Sequence, residues 1–200
     1  MWIYAIFTLA SAIALVASFI LAAEALYSVR HPGEMLGCDI NSTLSCSAVA
    51  KSWQAELIHI GRYSYPNAFL GIAAESVFVT VGVVGMTGAR LPRWFSVAWW
   101  WGGLAALAYS YWLTTQSLFV IGALCPWCLT LMFSTTIQFF ALTHATVVIR
   151  NEPHEDGSLS GLRRMMEDLY RPNADVWIEI GWIVLLIIVI IAKDGRALFS

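Results

Sequence analysis

Apolar residues run through this chain in blocks too continuous for half-buried strands and too long for ordinary soluble helices. Five such blocks stand out, approximately Trp2 to Tyr27, Pro66 to Thr87, Trp94 to Thr115, Phe119 to Ile149 and Val176 to Ala192. Each approaches or exceeds the about 20 residues a helix needs to cross the hydrocarbon of a bilayer. Backbone polar groups in lipid must be satisfied within their own segment, so the blocks predict spanning helices and an all-α integral membrane fold. The first block runs into Ala23-Glu24-Ala25, which resembles a small-x-small signal cleavage site. The block has no Lys or Arg before it and is roughly twice a typical signal core, so a retained helix is expected.

The intervals between blocks are polar. Residues 28 to 65 hold Gly33, Gly37, Asn41 and several serines, turn-formers that predict a loop at the start of the segment. From Ala48 to Ile60, Trp53, Leu57 and Ile60 recur at helical spacing against Lys51, Gln54, Glu56 and His59. That pattern predicts an amphipathic helix, lying on the membrane surface or covering the bundle. A charged linker, Asn151 to Asn173, carries Pro153, Gly157, Gly161 and Pro172, with a short helix expected around Gly161 to Tyr170. The expected organisation is a four-helix bundle domain over 1–149, a cytoplasmic linker over 150–175, and over 176–200 a fifth, peripheral transmembrane helix with a short extracytoplasmic tail.

Composition agrees with lipid as the main solvent: 59% hydrophobic and 12% charged residues, with a mean hydropathy of +0.70, against about 25% charged in an average soluble domain. A net charge of -2 offers no basic field for nucleic acid. Arg90 and Arg93 bracket the short turn between the second and third blocks, and basic residues in short loops prefer the cytoplasm. The N-terminus is then cytoplasmic, and the 28 to 65 segment and the start of the fourth helix face the extracytoplasmic side. All four cysteines share that face, the oxidising side of a bacterial plasma (inner) membrane, where disulfides persist.

The cysteines form two local pairs, Cys38 with Cys46 and Cys125 with Cys128. In Cys125-Pro126-Trp127-Cys128 the two thiols are three apart and lie on one helix face, within exchange distance. A helix N-terminus favours the thiolate, the species that attacks disulfides, and Pro126 suits a first turn. A second dithiol on a flexible loop supplies what a thiol relay needs, since exchange requires sulfur to approach sulfur and then release the product pair. The rival reading is a non-enzymatic membrane protein whose four thiolates cage a structural zinc. The spacing of Cys38 and Cys46, eight apart in a loop, suits a shuttle better than a cage.

The combination of Cys38-Asp39, Ser45-Cys46-Ser47, Ser52 six residues after Cys46, Asn67 opening the second span, and Cys125-Pro-Trp-Cys128 resembles the vitamin K epoxide reductase family and its bacterial homologues. The resemblance covers roughly residues 1 to 149. It implies a four-helix bundle around a quinone, menaquinone or ubiquinone, with Cys125 and Cys128 as the catalytic pair. It implies that Cys128 faces the quinone, that Cys125 exchanges with Cys46 and Cys38, and that Ser52 and Asn67, with Trp127 and Met132 nearby, shape the quinone pocket. Met132 stands where vertebrate members carry a tyrosine, which favours plain quinone reduction over epoxide reduction. Some bacterial homologues continue into a thioredoxin-like domain; here a separate thioredoxin-like extracytoplasmic protein is the expected partner. The type B disulfide-forming oxidoreductases place their CxxC after the first helix, the reverse of the order here.

Other residues draw attention singly. Glu75 is an ionisable group inside the second span and a functional candidate on that ground. His144, toward the cytoplasmic end of the fourth block, is expected to pack. Trp94 and Trp99 to Trp101 are expected at interfaces and in helix packing, and Gly82, Gly85 and Gly88 are expected to let helices approach closely.

Overall fold

A computed structural model describes residues 2–41, 43–56, 58–89, 92–148 and 174–198. Its long helices are α1 (Trp2–Arg30), α3 (Ala68–Met86), α4 (Arg93–Gln116), α5 (Pro126–Val148) and α6 (Ala174–Leu198), with a short α2 (Cys46–Ala50) between α1 and α3. Among the described residues, these five long helices are apolar and long enough to cross a membrane. The protein is thus an all-α, multi-pass membrane protein. The linker between α5 and α6, with the short helix expected around Gly161 to Tyr170, lies outside the described residues.

Helix α1 is the centre of the bundle and packs on both α3 and α5, while α4 packs on α5. Its buried face repeats at three and four residues: Ile3, Phe7, Ala10, Ser11, Ala14, Ala17, Ser18 and Ala22. Between helices in lipid, association depends on close packing rather than on expulsion of water, and small residues allow that closeness. The α3 side supplies glycines: a Cβ at Gly82 would strike Thr8 and Phe7, and one at Gly85 would strike the Tyr4 ring. Gly88 differs from the expectation. It lies beyond α3 with open space around it and φ +73°, so it serves the turn rather than helix contact.

An inner aromatic and aliphatic cluster of Ile3, Phe7, Phe78, Ala141, Leu142 and Ala145 fills one half of the bundle, with Trp99 against it. A polar node crosses the interior: Gln138 Nε2 on α5 donates to Ser11 Oγ on α1 at 2.9 Å and to Glu75 Oε2 on α3 at 3.0 Å. His144 packs edge-on against Trp2, well along α5 from the cysteines. Helix α6 is peripheral. It touches the rest through Ile190 and Leu186 beside Leu118, Leu124 and Met132, and Trp182 Nε1 donates to Tyr111 Oη at 2.7 Å.

Two local expectations fail for identifiable reasons. The helix expected from Ala48 to Ile60 does not form. Helix α2 stops at Ala50, the Ser52 hydroxyl donates to the Val49 carbonyl at 2.6 Å, and a 3₁₀ turn follows over Trp53–Ala55. Residues Ile58–Ile60 (β1) and Tyr63–Tyr65 (β2) then pair antiparallel, with Ile58 opposite Tyr65 and Ile60 opposite Tyr63. β-branched and aromatic residues flank Gly61 at φ +63°, which is hairpin chemistry. The fourth block also begins later than Phe119. Residues Ser117–Ile121 form a π turn continuing α4, Gly122 adopts φ +69°, and α5 starts at Pro126. The left-handed glycine ends one helix, and the proline, which needs no amide donor, begins the next.

Candidate functional site

The loop after α1 is built around Asp39. Its carboxylate accepts from the Leu36 amide at 2.9 Å, the Ser45 hydroxyl at 2.9 Å, and the Ser47 amide and hydroxyl at 3.0 and 2.5 Å. Partial burial works to raise the Asp39 pKa, but the hydrogen bonds from Ser47, Leu36 and Ser45 prevail and hold it at about 2. Asn41 Oδ1 turns the chain by accepting the Thr43 and Leu44 amides at 2.9 and 2.7 Å. Ser45 then caps α2 through the Ala48 amide, which places Cys46 as the first helical residue.

The loop is clamped to the segment preceding α5. Leu44 and Leu124 form a parallel bridge, with the Leu124 amide donating to the Thr43 carbonyl at 2.7 Å and the Ser45 amide to the Leu124 carbonyl at 3.0 Å. On that strand-like contact Cys46 and Cys125 follow Ser45 and Leu124, one residue on from each backbone bond. Their sulfurs stand 3.3 Å apart. Both are almost wholly buried, in a cluster that also holds Leu36 and Cys38 with Trp127 and Cys128 packed against it.

Cys38 and Cys46 are joined as a disulfide, with their Cα atoms 5.7 Å apart, while Cys125 and Cys128 are free thiols. Cys125 precedes the first turn of α5, where the Cys128 amide points at its sulfur from 3.4 Å. A helix N-terminus of this kind stabilises a thiolate. In this redox state Cys38 and Cys46 are not thiolates, so the four-thiolate set of the zinc reading is not assembled. Glu24, on α1, stands at the other end of the disulfide: its two carboxylate oxygens are 3.1 and 3.2 Å from Cys38 Sγ.

Behind the sulfurs a cavity of about 550 Å³ opens between α1, α3, α4 and α5, within the size range of small-molecule sites. Its walls are mostly apolar, and Cys46, Cys125 and Cys128 line it together with Ser52, Asn67, Glu24 and Glu75. Asn67 is held at the head of α3 by its side-chain amide, which donates to the Gln54 carbonyl. Two buried hydroxyl oxygens on the wall, Ser18 Oγ and Tyr109 Oη, have no hydrogen-bond partner among the described residues. Buried polar groups of this kind ordinarily have a partner, so their presence fits a ligand carrying oxygen acceptors in an otherwise apolar space. A quinone has that chemistry.

Of the residues singled out from sequence, the four cysteines come together, and Ser52 and Asn67 face the cavity. Trp127 and Met132 do not line it. Trp127 packs beside the sulfur cluster, and Met132 is 1% exposed among Leu118, Leu124 and Ile190. On α5 the residue four beyond Cys128 thus points toward α6, away from the cavity. Glu24, Ser18 and Tyr109 were not singled out as site residues. Glu24 carried a readable signal, an acidic side chain inside an otherwise apolar run 14 positions before Cys38. The two hydroxyls carried none.

The sequence model of the vitamin K epoxide reductase family matches residues 5–143, from α1 into α5 and across all four cysteines. Among curated proteins no match is found.

Proposed function

Because the chain belongs to the vitamin K epoxide reductase family, whose members are membrane thiol and quinone oxidoreductases, we propose that it reoxidises a separate thioredoxin-like, disulfide-forming protein at the extracytoplasmic face of a bacterial plasma membrane. Electrons pass from Cys38 and Cys46 to Cys125 and Cys128, and from there to menaquinone or ubiquinone. The observation that carries this reading is the 3.3 Å approach of Cys46 Sγ to Cys125 Sγ. Few other arrangements give two cysteine pairs a direct path for exchange.

The relay begins when a thiolate of the partner attacks the loop disulfide, leaving the partner oxidised and the loop as a dithiol. Cys46 then attacks Cys125 of an embedded Cys125–Cys128 disulfide and releases Cys128 as a thiolate. Cys38 attacks Cys46 in turn, restoring the loop disulfide and releasing Cys125, whose charge the Cys128 amide helps to stabilise. A closed loop disulfide beside free Cys125 and Cys128 matches the state reached at the end of these steps. A quinone in the cavity would accept two electrons and two protons there. Ser52, Asn67, Ser18 and Tyr109 are the side chains that would hold it, and the apolar walls would exclude water.

The test is the ultraviolet change of a quinone mixed with the full chain in lipid nanodiscs and a reduced thioredoxin-like donor. Thiol-dependent quinol formation is expected for the native chain. Cys128→Ser should still exchange with the donor at the loop and form no quinol; persistent quinol formation in that variant would overturn the assignment.

A further inference from the structure

Both oxygens of Glu24 lie against Cys38 Sγ, at 3.1 and 3.2 Å, and this carboxylate has no place in the relay as described so far. Glu24 is half-buried on α1, four residues from where the apolar run of the helix gives way to polar residues. Its surroundings are acidic or neutral: Asp39 from the loop acts on it electrostatically, and Glu24 in turn acts on Cys125 and Cys128 at the head of α5. Glu75 from α3 and Glu56 after the 3₁₀ turn line the same cavity. Among the described residues no Lys, Arg or His forms an ion pair with it. A carboxylate placed against a sulfur with no cation to neutralise it is poorly explained as a structural salt bridge.

Resting on the relay reading above, we infer that Glu24 is the general base for Cys38. In the step that closes the loop, the Glu24 carboxylate takes the proton of the Cys38 thiol. The Cys38 thiolate bonds to Cys46 Sγ, the Cys46–Cys125 bond breaks, and the electron pair leaves on Cys125 as a thiolate. The loop pair is oxidised to a disulfide, the mixed disulfide is reduced, and the proton rests on Glu24. That carboxyl sits on the wall of the cavity that Cys128 also lines, so the proton is delivered to the side on which the protons of quinone reduction are consumed. When the loop disulfide is opened again, the same carboxyl returns the proton to the departing Cys38. An attacking thiol needs this help because only its thiolate is nucleophilic.

The experiment follows one turnover of the fully reduced full chain in nanodiscs after addition of one equivalent of a short-chain quinone, quenched with acid and alkylated. Mass spectrometry then counts the Cys46–Cys125 mixed disulfide, the species that Cys38 must resolve. Glu24→Gln should form it at the native rate and accumulate it, with resolution slowed roughly 100-fold at pH 7, the lower end of the range for removal of a general base. That deficit should shrink as pH rises and hydroxide ionises Cys38 directly, and Glu24→Asp should fall between the two. Native resolution kinetics in Glu24→Gln would overturn the base role, and so would a slowing by one constant factor at every pH, which is what mere displacement of the loop produces. Cys38→Ser, which cannot resolve it forward, should accumulate the mixed disulfide, which then decays only by back-attack of Cys128 on Cys125. If it forms none, the relay and the base role fall together, whereas a normal Glu24→Gln profile beside a trapped Cys38→Ser intermediate overturns the base role alone.

Discussion

Cys46 and Cys125 are 79 positions apart in the chain, yet their sulfurs stand 3.3 Å from each other, aligned by the backbone bridge between Leu44 and Leu124. The contact is made by backbone hydrogen bonds one residue before each cysteine, so the loop does not find the embedded pair by chance. Exchange between the pairs needs only small movements of sulfur.

Asp39 makes the loop sensitive to acid. Its carboxyl titrates at about 2 in the folded loop against an ordinary 3.8, so its contribution to loop order is complete above the ordinary value and is lost as pH falls through about 2. Pepsin cleavage within 36–47, normalised to Asp39→Asn, should stay low at pH 5 and rise as the pH approaches 2. Asp39→Asn removes the acceptor charge and should be cut freely across that range. Equal cleavage of the two proteins at pH 5 would refute the role given to Asp39.

Tyr109 should matter to quinone affinity and little to folding. Tyr109→Phe deletes a hydroxyl that has no partner among the described residues, so a loss of one neutral hydrogen bond to quinone is expected, about 0.5–1.5 kcal/mol. Steady-state assays should show the quinone KM rising by roughly 2- to 12-fold on that scale, with an unchanged unfolding temperature. A native KM would mean that the hydroxyl does not meet the ligand.

Gln138 is the donor that joins α1 and α3 through α5. Gln138→Ala leaves Glu75 Oε2 and Ser11 Oγ without that donor in the bundle interior, and a buried polar group left unsatisfied costs about 1–3 kcal/mol. Thermal unfolding in detergent should show a clear drop. Unaltered stability would assign Glu75 and Ser11 other partners.

The close approach of α1 and α3 makes a similar demand. A side chain at Gly85 must displace the Tyr4 ring, and overpacking of this kind costs about 1–3 kcal/mol. Gly85→Val should therefore lower the unfolding temperature, and Tyr4→Ala in the same chain should recover part of the loss. Additive losses in the double variant would contradict direct contact.

Long apolar runs made the five helices readable because length and hydropathy alone decide what lipid accepts. The cysteine pairs were readable because spacing on a helix sets which thiols meet. The region 48–60 misled because its apolar spacing fits a helix, while Ser52 bonding back to Val49 and the hairpin around Gly61 depend on local backbone chemistry that periodicity does not report. Phe119 to Ile121 are as apolar as the helix that follows, so hydropathy alone ran the fourth span through them, whereas Gly122 and Pro126 divide the two. Met132, four residues beyond Cys128, lies close to the same face of α5, yet it packs among Leu118, Leu124 and Ile190, neighbours that spacing along one helix does not report. Ser18 and Tyr109 acquire their importance only from the helices that bury them.

The transfer between the two pairs can be isolated by removing the other two cysteines. In the Cys38→Ser/Cys128→Ser double variant, purified in nanodiscs and oxidised mildly, Cys46 and Cys125 should join in a single intramolecular disulfide, detected by mass spectrometry of the linked peptides at near-complete yield. Recovery of both residues as separately alkylated thiols would show that the pairs do not meet, and the relay would have to be abandoned.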